Sequence, residues 1–417
     1  MGEKITKIIL PRRRDVLRAG AGVTLGALGA PYVIGQARAS DTVKIGFVDP
    51  FTGTFAAFAH NERIGAEMAA AKLNAKNGIL GRKVELIFED DQANVGVGVQ
   101  KANKLLDRDK CDFLTGTVAS NVSQAIAQVC SQKKKLFVVT GGHVDDLTGK
   151  SCTWNVYRVC NTTYTIALAT AAAMVQKFGK RWYFMVPDYS FGHALHANMV
   201  SAVKSLGGEE VGFSLKPLGS TDFSAELIKC KAANPQVVGV LQGGDDQLNL
   251  LKQANQFGLT KTIPFVVPNS ELEVIAALPP SAQTGYWNFE WYWDQPGVPH
   301  VAEFVQEYQK RQPGKVPTAR TYFGYVSIHA LALASEKAKT LDNPKVGEAL
   351  SGLEMPPEIA LEPGRHYFDA ATHQYVGGDY PGNVPAGAAY PKLVHDVSFQ
   401  IADKLQAPGV VCKMAPA

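Results

Sequence analysis

One stretch of the sequence, residues 111–124, combines residue types that bind anions. Its first five residues, 111–115, form a short apolar run that is typical of a buried parallel strand, and Gly116 ends that run. Ser120 or Asn121 then stands at the start of a segment with helical periodicity, where either side chain can cap the first turn. The free N–H groups and positive dipole end of such a helix, with the Ser120 hydroxyl, favour a bound anion. The alternative is that Ser120 only caps its helix and contacts no ligand.

The sequence offers few residues for covalent or acid–base catalysis. Ser120 lies in T-V-A-S-N and not in the G-x-S-x-G context of a hydrolase nucleophile. His143, followed by Asp145 and Asp146, comes nearest to an acid–base pair, but a loop histidine beside acids is usually solvated. The six cysteines and nine histidines lack the spacing of a zinc site. We therefore expect a binding protein with no catalytic residue, no metal and no cofactor.

Those residues can act together only if the fold brings them to one edge of a sheet. From residue 42 onwards, short apolar segments alternate with segments of helical periodicity, which predicts parallel sheets covered by helices on both faces. The predicted strands span 43–48, 83–89, 112–115, 136–140, 154–159, 182–186, 210–215, 237–242 and 265–267. The predicted helices span 62–77, 97–108, 120–132, 163–178, 192–206, 222–233, 247–257, 300–311, 318–338 and 344–352. The restart of the alternation near residue 161 predicts two α/β lobes of similar architecture.

Open parallel sheets bind ligands at the carboxyl ends of their strands, so the loops that follow the strands hold the candidate residues. These loops are small, polar or aromatic, and they span 49–58, 90–91, 116–120, 141–143, 188–191, 243–246 and 268–270. We interpret Asp90 and Asp91 as residues that cap the turn into the next helix. Six aromatic residues at 285–294 fit either a core or lobe interface, or a surface that stacks on a ligand.

The first 39 residues have the composition of an export signal. They carry seven basic and two acidic side chains, an apolar run at 19–34 and the sequence A-R-A before Ser40, so we expect cleavage after Ala39 and a periplasmic protein. Arg13 and Arg14 resemble a twin-arginine signal, although the residues around them depart from the usual pattern and leave Sec export open. The remaining 35 basic and 36 acidic residues give a net charge of −1, which argues against a nucleic-acid partner.

The cysteines fit a protein that meets an oxidising compartment. Cys111 starts a predicted strand and Cys130 ends the helix after it, so both reach the same sheet edge and can pair. Cys152 and Cys160 flank a predicted extended segment that spans roughly 26 Å, so they should not bond to each other unless the chain folds back.

Seven stretches carry a family resemblance. They include V-K-I-G-F-V-D-P-F-T-G-T-F-A at 43–56, G-T-V-A-S-N-V-S-Q at 116–124 and D-Y-S-F-G at 188–192. The others lie at 64–86, 89–91, 221–224 and 253–259. Together they resemble the branched-chain amino-acid (Leu/Ile/Val) binding proteins, which are periplasmic solute receptors of ABC transporters with the type I periplasmic binding-protein fold.

The resemblance implies two Rossmann-like lobes with parallel central sheets, joined by three crossings of the chain near residue 161, at 286–293 and at 366–375. Lobe 1 is then expected to comprise residues 40–160 and about 291–366, and lobe 2 residues 161–290 and about 367–405, followed by a tail at 406–417. A small carboxylate would be trapped between the lobes of a monomeric receptor. An inner-membrane ABC permease would receive the closed form.

The resemblance also implies which residues contact the solute. Ser120 and the 141–143 loop match positions that bind a carboxylate, and Phe58 and Phe191 match aromatic walls. The whole expected ligand-binding set is Phe58, Ala119, Ser120, Gly141, Gly142, His143, Tyr189, Phe191, Asp245 and Asn269.

Asn269 departs from the family pattern, because amino-acid receptors keep a glutamate there for the α-ammonium group. Loss of that charge removes a charge-assisted hydrogen bond worth roughly 1.5–3 kcal/mol. Asp245 can replace it from the neighbouring loop, or the ligand has no amino group. The sequence thus leaves open an apolar amino acid and favours an aromatic or hydrophobic acid. A ligand-sensing subunit of a signalling system and a periplasmic hydrolase are the alternatives from other classes.

Overall fold

The computed structural model describes residues 42–385, 387–401 and 411–412 of the 417-residue chain. The export signal expected at 1–39 lies outside the described residues, as does most of the tail expected at 406–417. Within the described ranges, no helix is both long and apolar enough to cross a bilayer.

Two sheets organise the described chain. A five-stranded parallel sheet has the order β2-β1-β3-β4-β5, and a seven-stranded sheet has the order β14-β13-β10-β9-β8-β6-β7, in which β13 and β14 run antiparallel to their neighbours. The strands are β1 (Val43–Asp49), β2 (Val84–Asp90), β3 (Phe113–Gly116), β4 (Phe137–Val139), β5 (Val156–Arg158), β6 (Arg181–Pro187), β7 (Glu209–Lys216), β8 (Val237–Val240), β9 (Phe265–Val267), β10 (Gly285–Phe289), β11 (Glu354–Met355), β12 (His366–Tyr367), β13 (Gly378–Val384) and β14 (Gln400–Ile401). The short strands β11 and β12 pair only with each other.

Helices connect the parallel strands and cover both sheets. They are α1 (Ala56–Asn74), α2 (Val95–Asn103), α3 (Ser120–Gln132), α4 (Thr163–Phe178), α5 (Ser190–Ser205), α6 (Ser224–Ala232), α7 (Gly244–Gln256), α8 (Leu272–Ala277), α9 (Val301–Arg311), α10 (Ala319–Ala338), α11 (Asn343–Leu350) and α12 (Pro357–Ala360). The predicted α/β class with two parallel-dominated sheets is confirmed. Every predicted strand and helix overlaps an observed one, but α1 begins six residues before the predicted start, which places Phe58 inside the helix.

Two glycines bring α1 and α10 into backbone contact. A Cβ built on Gly65 of α1 would overlap the backbone of Thr321 in α10, and one built on Gly324 would overlap the backbone of Glu62. Only glycine permits so close an approach of two helices. The contact matters for the site because it sets the side chains of Glu62 and Arg320 against each other.

A buried polar network joins the three segments that pass between the sheets. The backbone N–H of Asn161 donates to Glu290 at 2.5 Å, and its side-chain amide donates to Asp379 at 3.0 Å. Asn288 donates to the other oxygen of Asp379 at 2.8 Å. Burial raises the pKa of Asp379, and the two amide donors oppose that shift. These segments lie close to the crossings expected from the resemblance.

The cysteines correct one expectation. Cys111 and Cys130 are free, buried thiols and do not form the predicted disulfide. The Cys111 sulfur points towards Gly46 of β1, since it lies 3.2 Å from the position that a Cβ would take there. A shared sheet edge therefore does not give the Cβ separation of roughly 3.5–4.5 Å that a disulfide needs. Cys152 instead bonds to Cys412, across 260 residues of sequence.

Candidate functional site

A small cavity lies where the carboxyl ends of both sheets face each other. Its volume is about 20 Å³. It is lined by residues from the loops after the strands and from the start of α10, namely Phe55, Phe58, Val118, His143, Tyr189, Phe191, Gln242, Gly243, Asn269, Ser270, Glu271 and Arg320. Five members of the expected ligand-binding set therefore meet at one place: Phe58, His143, Tyr189, Phe191 and Asn269.

Aromatic rings form one continuous wall of this cavity. Phe55 stacks on Phe58 with ring centroids 6.0 Å apart, and Tyr189 follows at 6.4 Å from Phe55. Phe191 lies 5.8 Å from Tyr189. Because α1 and its N-cap residue supply the first two rings and α5 with its preceding loop supplies the others, elements that follow β1 and β6 share the wall. Such a wall suits the apolar body of a small solute.

The cavity lining also carries charged side chains, which the rule of strand ends did not find. Arg320, the second residue of α10, donates to Glu271 at 2.7 Å and to Glu62 at 3.2 Å. Its guanidinium carbon lies 4.9 Å above the Phe58 ring. We call Arg320, Glu62 and Glu271 the charged triad; each side chain is at most 3% exposed.

One guanidinium cannot balance two carboxylates. Burial by itself lowers the pKa of Arg320, but Glu271 and Glu62 outweigh burial and raise it. Burial raises the pKa of Glu271 and of Glu62, and Arg320 opposes the shift in each case. We read the triad as one ion pair plus a carboxyl group that holds a proton readily, because two neighbouring carboxylates do not both ionise easily.

Two acceptors of the cavity lining lack a donor. Asn269 Oδ1 and Glu271 Oε2 are buried and form no hydrogen bond with any described residue. Buried acceptors are normally paired, because an unpaired one costs about 1–3 kcal/mol. The two atoms therefore favour a ligand that brings its own hydrogen-bond donor.

The loops at 116–120 and 141–143 form the edge that the sequence marked as an anion site, and we call them the glycine-rich edge. The α3 helix begins at Ser120, and Ala119 is its N-cap residue, so the expected capping role of Ser120 or Asn121 is wrong. Ser120 Oγ instead accepts a hydrogen bond from the backbone N–H of Val144 at 3.3 Å. Val118 is the residue of its loop that reaches the cavity.

The two glycines of the second loop fit where a side chain would not. A Cβ built on Gly141 would lie 2.5 Å from Arg320 Nη1 and 2.6 Å from Val118 Cα. A Cβ built on Gly142 would overlap the Ser123 hydroxyl. Close packing thus explains why this loop is glycine-rich. The structure places Gly141 beside the charged triad and outside the cavity lining.

His143 pairs with an acid that lies far away in the sequence. Its Nε2 donates to Glu290 Oε2 at 2.6 Å, and both side chains are buried. Burial lowers the pKa of His143, whereas the pKa of Glu290 is lowered because His143 and Arg320 outweigh the effect of burial. His143 therefore donates to a buried carboxylate, and the nearby Asp145 instead accepts from Tyr164 N at 2.9 Å.

Asp245 does not reach the cavity. Its side chain is exposed, while its backbone N–H donates to the carbonyl of Thr54 at 3.0 Å. The next residue, Asp246, accepts from the Thr54 hydroxyl at 2.7 Å and from Gly219 N at 2.9 Å. The structure thus offers Glu271, and not Asp245, as the carboxylate beside Asn269.

The two tryptophans considered as stacking surfaces belong to the cores. Trp287 and Trp291 are each 1% exposed, and neither lines the cavity. Asp90 and Asp91 accept from backbone N–H groups of the turn before α2, at 2.9 Å and 2.7 Å, as interpreted from the sequence.

Comparison with known proteins agrees with this architecture. Residues 42–388 match the family described as periplasmic binding protein. A Leu/Ile/Val-binding protein homolog of Brucella abortus is 27% identical over 336 residues, which cover 79% of this chain and 86% of that protein. The crystal structure of a periplasmic binding protein from Burkholderia mallei gives a TM-score of 0.82 at 26% identity and covers 90% of this chain and 99% of its own.

A solute-binding protein of R. palustris, solved in complex with benzoate, gives a TM-score of 0.75 at 19% identity, over 85% of this chain and 95% of its own. That likeness concerns the fold. The family match spans most of the chain, from β1 to the loop after β13. The chain therefore belongs to the periplasmic binding protein family, whose members are solute receptors.

Proposed function

We propose that this protein is the solute receptor of an ABC importer and that its ligand is an apolar α-amino acid bound in the cavity between the two sheets. The family works with ABC permeases, and the curated relative of B. abortus is named for leucine, isoleucine and valine. The receptor would act by binding and not by catalysis. A ligand-sensing role in a signalling system would use the same cavity.

The observation that carries the proposal is the Glu271 carboxyl group, which lines the cavity and has one oxygen without a donor. The preference for an aromatic acid rested on the missing charge at Asn269. Glu271, two residues later, supplies that charge and meets the requirement of an ammonium group for an acidic partner. Asn269 Oδ1 is a second acceptor for the same group.

The other parts of an amino acid also find partners. The aromatic wall of Phe55, Phe58, Tyr189 and Phe191 would contact its apolar side chain. Its carboxylate would bind Arg320 or the glycine-rich edge, where the start of α3 and the Ser120 hydroxyl favour an anion. Ala119, Gly141 and Gly142 would then shape the edge without touching the solute through a side chain.

An aromatic acid is the second candidate, because the same ring wall suits it. Its carboxylate would bind Arg320, and a ring hydroxyl could donate to Asn269 Oδ1. Such a ligand brings no positive charge, so it leaves the second carboxyl group of the triad without a cationic partner. The two candidates therefore differ in whether binding requires the carboxylate of Glu271.

Solute entry would require the lobes to separate. A cavity of about 20 Å³ holds about one water molecule, whereas ligand sites occupy roughly 300–1,000 Å³. We propose lobes at residues 40–160 with about 291–366, and at 161–290 with about 367–405, which each contain one of the two sheets. The polar network of Asn161, Glu290 and Asp379 would form the hinge, and a solute that bridges both walls would favour closure.

A thermal-shift panel of leucine, phenylalanine, benzoate and 4-hydroxybenzoate tests the proposal. A ligand at a hundred times its dissociation constant adds about 2.7 kcal/mol to the free energy of unfolding. We expect leucine or phenylalanine to raise the melting temperature. Stabilisation by the benzoates alone would make the aromatic acid the ligand class.

Substitution of Glu271 separates the two candidates at one residue. Glu271→Gln should weaken amino-acid binding at least tenfold, about 1.4 kcal/mol, and leave benzoate binding within about twofold. The matched control is Asp245→Asn, whose side chain lies outside the cavity and should change neither affinity. Calorimetry in buffers of different ionisation enthalpy should also show proton release when an amino acid binds, because its ammonium displaces the proton of the triad.

A further inference from the structure

A second cluster of potential ligand atoms surrounds the Cys152–Cys412 disulfide. None of its residues lines the cavity. One ligand atom from each of Cys152, His373 and Cys412 lies within 4.8 Å of the other two. All three side chains are buried, with exposures of 6%, 0% and 5%. Thiolate sulfurs and imidazole nitrogens are donors that Zn²⁺ prefers, and here the two sulfurs are bonded to each other.

The histidine is held in the form that binds metals. His373 Nδ1 donates to the carbonyl of Val156 at 3.2 Å, which leaves Nε2 with its lone pair. Nε2 is buried and forms no hydrogen bond within the described residues. The ring stacks on Tyr157 at 4.2 Å with an interplanar angle of 12°, so its direction is fixed. A backbone carbonyl that orients the second nitrogen is the usual companion of a metal-binding histidine.

We propose that reduction of the Cys152–Cys412 disulfide creates a zinc site formed by these two cysteines and His373. A dithiol supplies two electrons and two protons, becomes a cyclic disulfide, and leaves two protein thiols. Zn²⁺ then binds both sulfurs as thiolates and releases the two protons, while His373 Nε2 gives its lone pair and water completes a tetrahedron. Zn–S bonds of about 2.3 Å place the two sulfurs about 3.7 Å apart, so the sulfurs, which are bonded to each other in the oxidised protein, separate after reduction.

The site would keep the end of the chain in place under reducing conditions. The backbone N–H of Cys412 donates to the carbonyl of Ala371 at 2.6 Å, so residues 411–412 lie beside the loop that carries His373. In the oxidised protein the disulfide holds this contact. In the reduced protein the metal would replace the covalent link between the same two residues, independently of which solute the receptor binds.

Cobalt titration of the full-length protein tests the proposal. The protein is reduced with a dithiol, freed of it under nitrogen, and titrated with Co²⁺, which reports thiolate ligands by a charge-transfer absorption band. We expect one Co²⁺ per reduced chain, displaced by Zn²⁺, and no band with the oxidised protein. Absence of the band from the reduced protein would overturn the proposal.

Variants decide whether the ion sits at this cluster. Cys152→Ser and Cys412→Ser should each abolish the band, and His373→Gln should weaken cobalt binding at least tenfold. The matched control is Cys160→Ser, since Cys160 is another buried thiol and should leave binding unchanged. A band that survives Cys412→Ser, or an affinity unaffected by His373→Gln, refutes the site.

A folding check keeps the His373 result interpretable. The oxidised His373→Gln protein should still show four free thiols after denaturation, as in the parent, and a melting temperature close to it. If that variant does not fold, Cys412→Ser decides alone, because it removes one of the two sulfurs and leaves His373 in place. The reduction step converts the unpaired Cys152 to a thiol before the titration.

Discussion

The glycine-rich edge and the charged triad face the same cavity but are built by opposite means. At the edge, neighbouring atoms lie so close to Gly141 and Gly142 that no side chain fits at either position, and polar contact comes from N–H groups and one hydroxyl. In the triad, long side chains from α1, α10 and the loop after β9 meet as buried charges. The edge depends on local chain geometry, whereas the triad depends on how distant elements pack.

The charged triad and the glycine-rich edge should also differ in whether a substitution lowers stability or solute affinity. Buried charges that lose a partner cost far more than a lost neutral hydrogen bond. We therefore expect substitutions in the triad to change the free energy of unfolding strongly. Substitutions at the edge should change mainly the affinity for the solute.

The largest effect should follow Arg320→Met, which keeps the volume of the side chain and removes its charge. Glu62 and Glu271 would then be buried without a cation, so the free energy of unfolding at pH 8 should fall by about 3–5 kcal/mol. The loss should shrink at pH 5, because both carboxyl groups have raised pKa values and take up protons. Urea unfolding of the parent and the variant at pH 8 and at pH 5 measures the two losses of unfolding free energy.

Arg63→Met is the matched control for that prediction. Arg63 pairs with Glu67 on the surface of α1, and the side chains are 46% and 36% exposed. Exposed pairs contribute at most about 1 kcal/mol. If Arg320→Met lowers the free energy of unfolding no more than Arg63→Met, the buried charges of the triad do not depend on Arg320 for their stability.

A smaller effect concerns pH and Glu273, which lies near the triad on α8. It accepts from Asn61 at 2.9 Å, and burial raises its pKa to about 7. The folded protein then binds this proton more tightly than the unfolded chain, so the contribution is full below about pH 4.5 and is lost as pH rises through 7. Glu273→Gln should flatten this fall by about 1–2 kcal/mol, since partial exposure reduces the full linkage value.

Denaturant unfolding between pH 4.5 and 8 measures the Glu273 effect. The exposed carboxylate Glu303 provides the control, because Glu303→Gln should leave the pH profile of the parent unchanged. If the Glu273→Gln profile also coincides with that of the parent, Glu273 does not hold a proton in this pH range.

An effect of similar size, on solute affinity and not on stability, is expected at the glycine-rich edge. Ser120→Ala removes a hydroxyl that accepts from Val144 N and that we propose as a donor to the solute carboxylate. Affinity for the solute should fall by about 1–2 kcal/mol. Calorimetry measures it; an unchanged affinity would leave Ser120 as a local acceptor for Val144 only.

The periodicity of the residues predicts the order of strands and helices and therefore the fold class. The sequence also identified much of the cavity lining, because residues that follow parallel strands reach one edge of a sheet whatever the rest of the chain does. Phe58, His143, Phe191 and Asn269 were found by that rule. The same rule included Asp245, whose side chain is exposed and which does not line the cavity.

The charged triad and the Cys152–Cys412 disulfide depend on the tertiary structure. Arg320 and Glu62 are 258 residues apart, and they meet because glycines let α1 and α10 touch. Cys152 and Cys412 are 260 residues apart, and Cys111 and Cys130, which share a sheet edge, remain unpaired. Strand periodicity is a local property that can be read along the chain. The partner of a buried charge or a thiol depends on which distant surfaces pack together, and no spacing in the sequence records that.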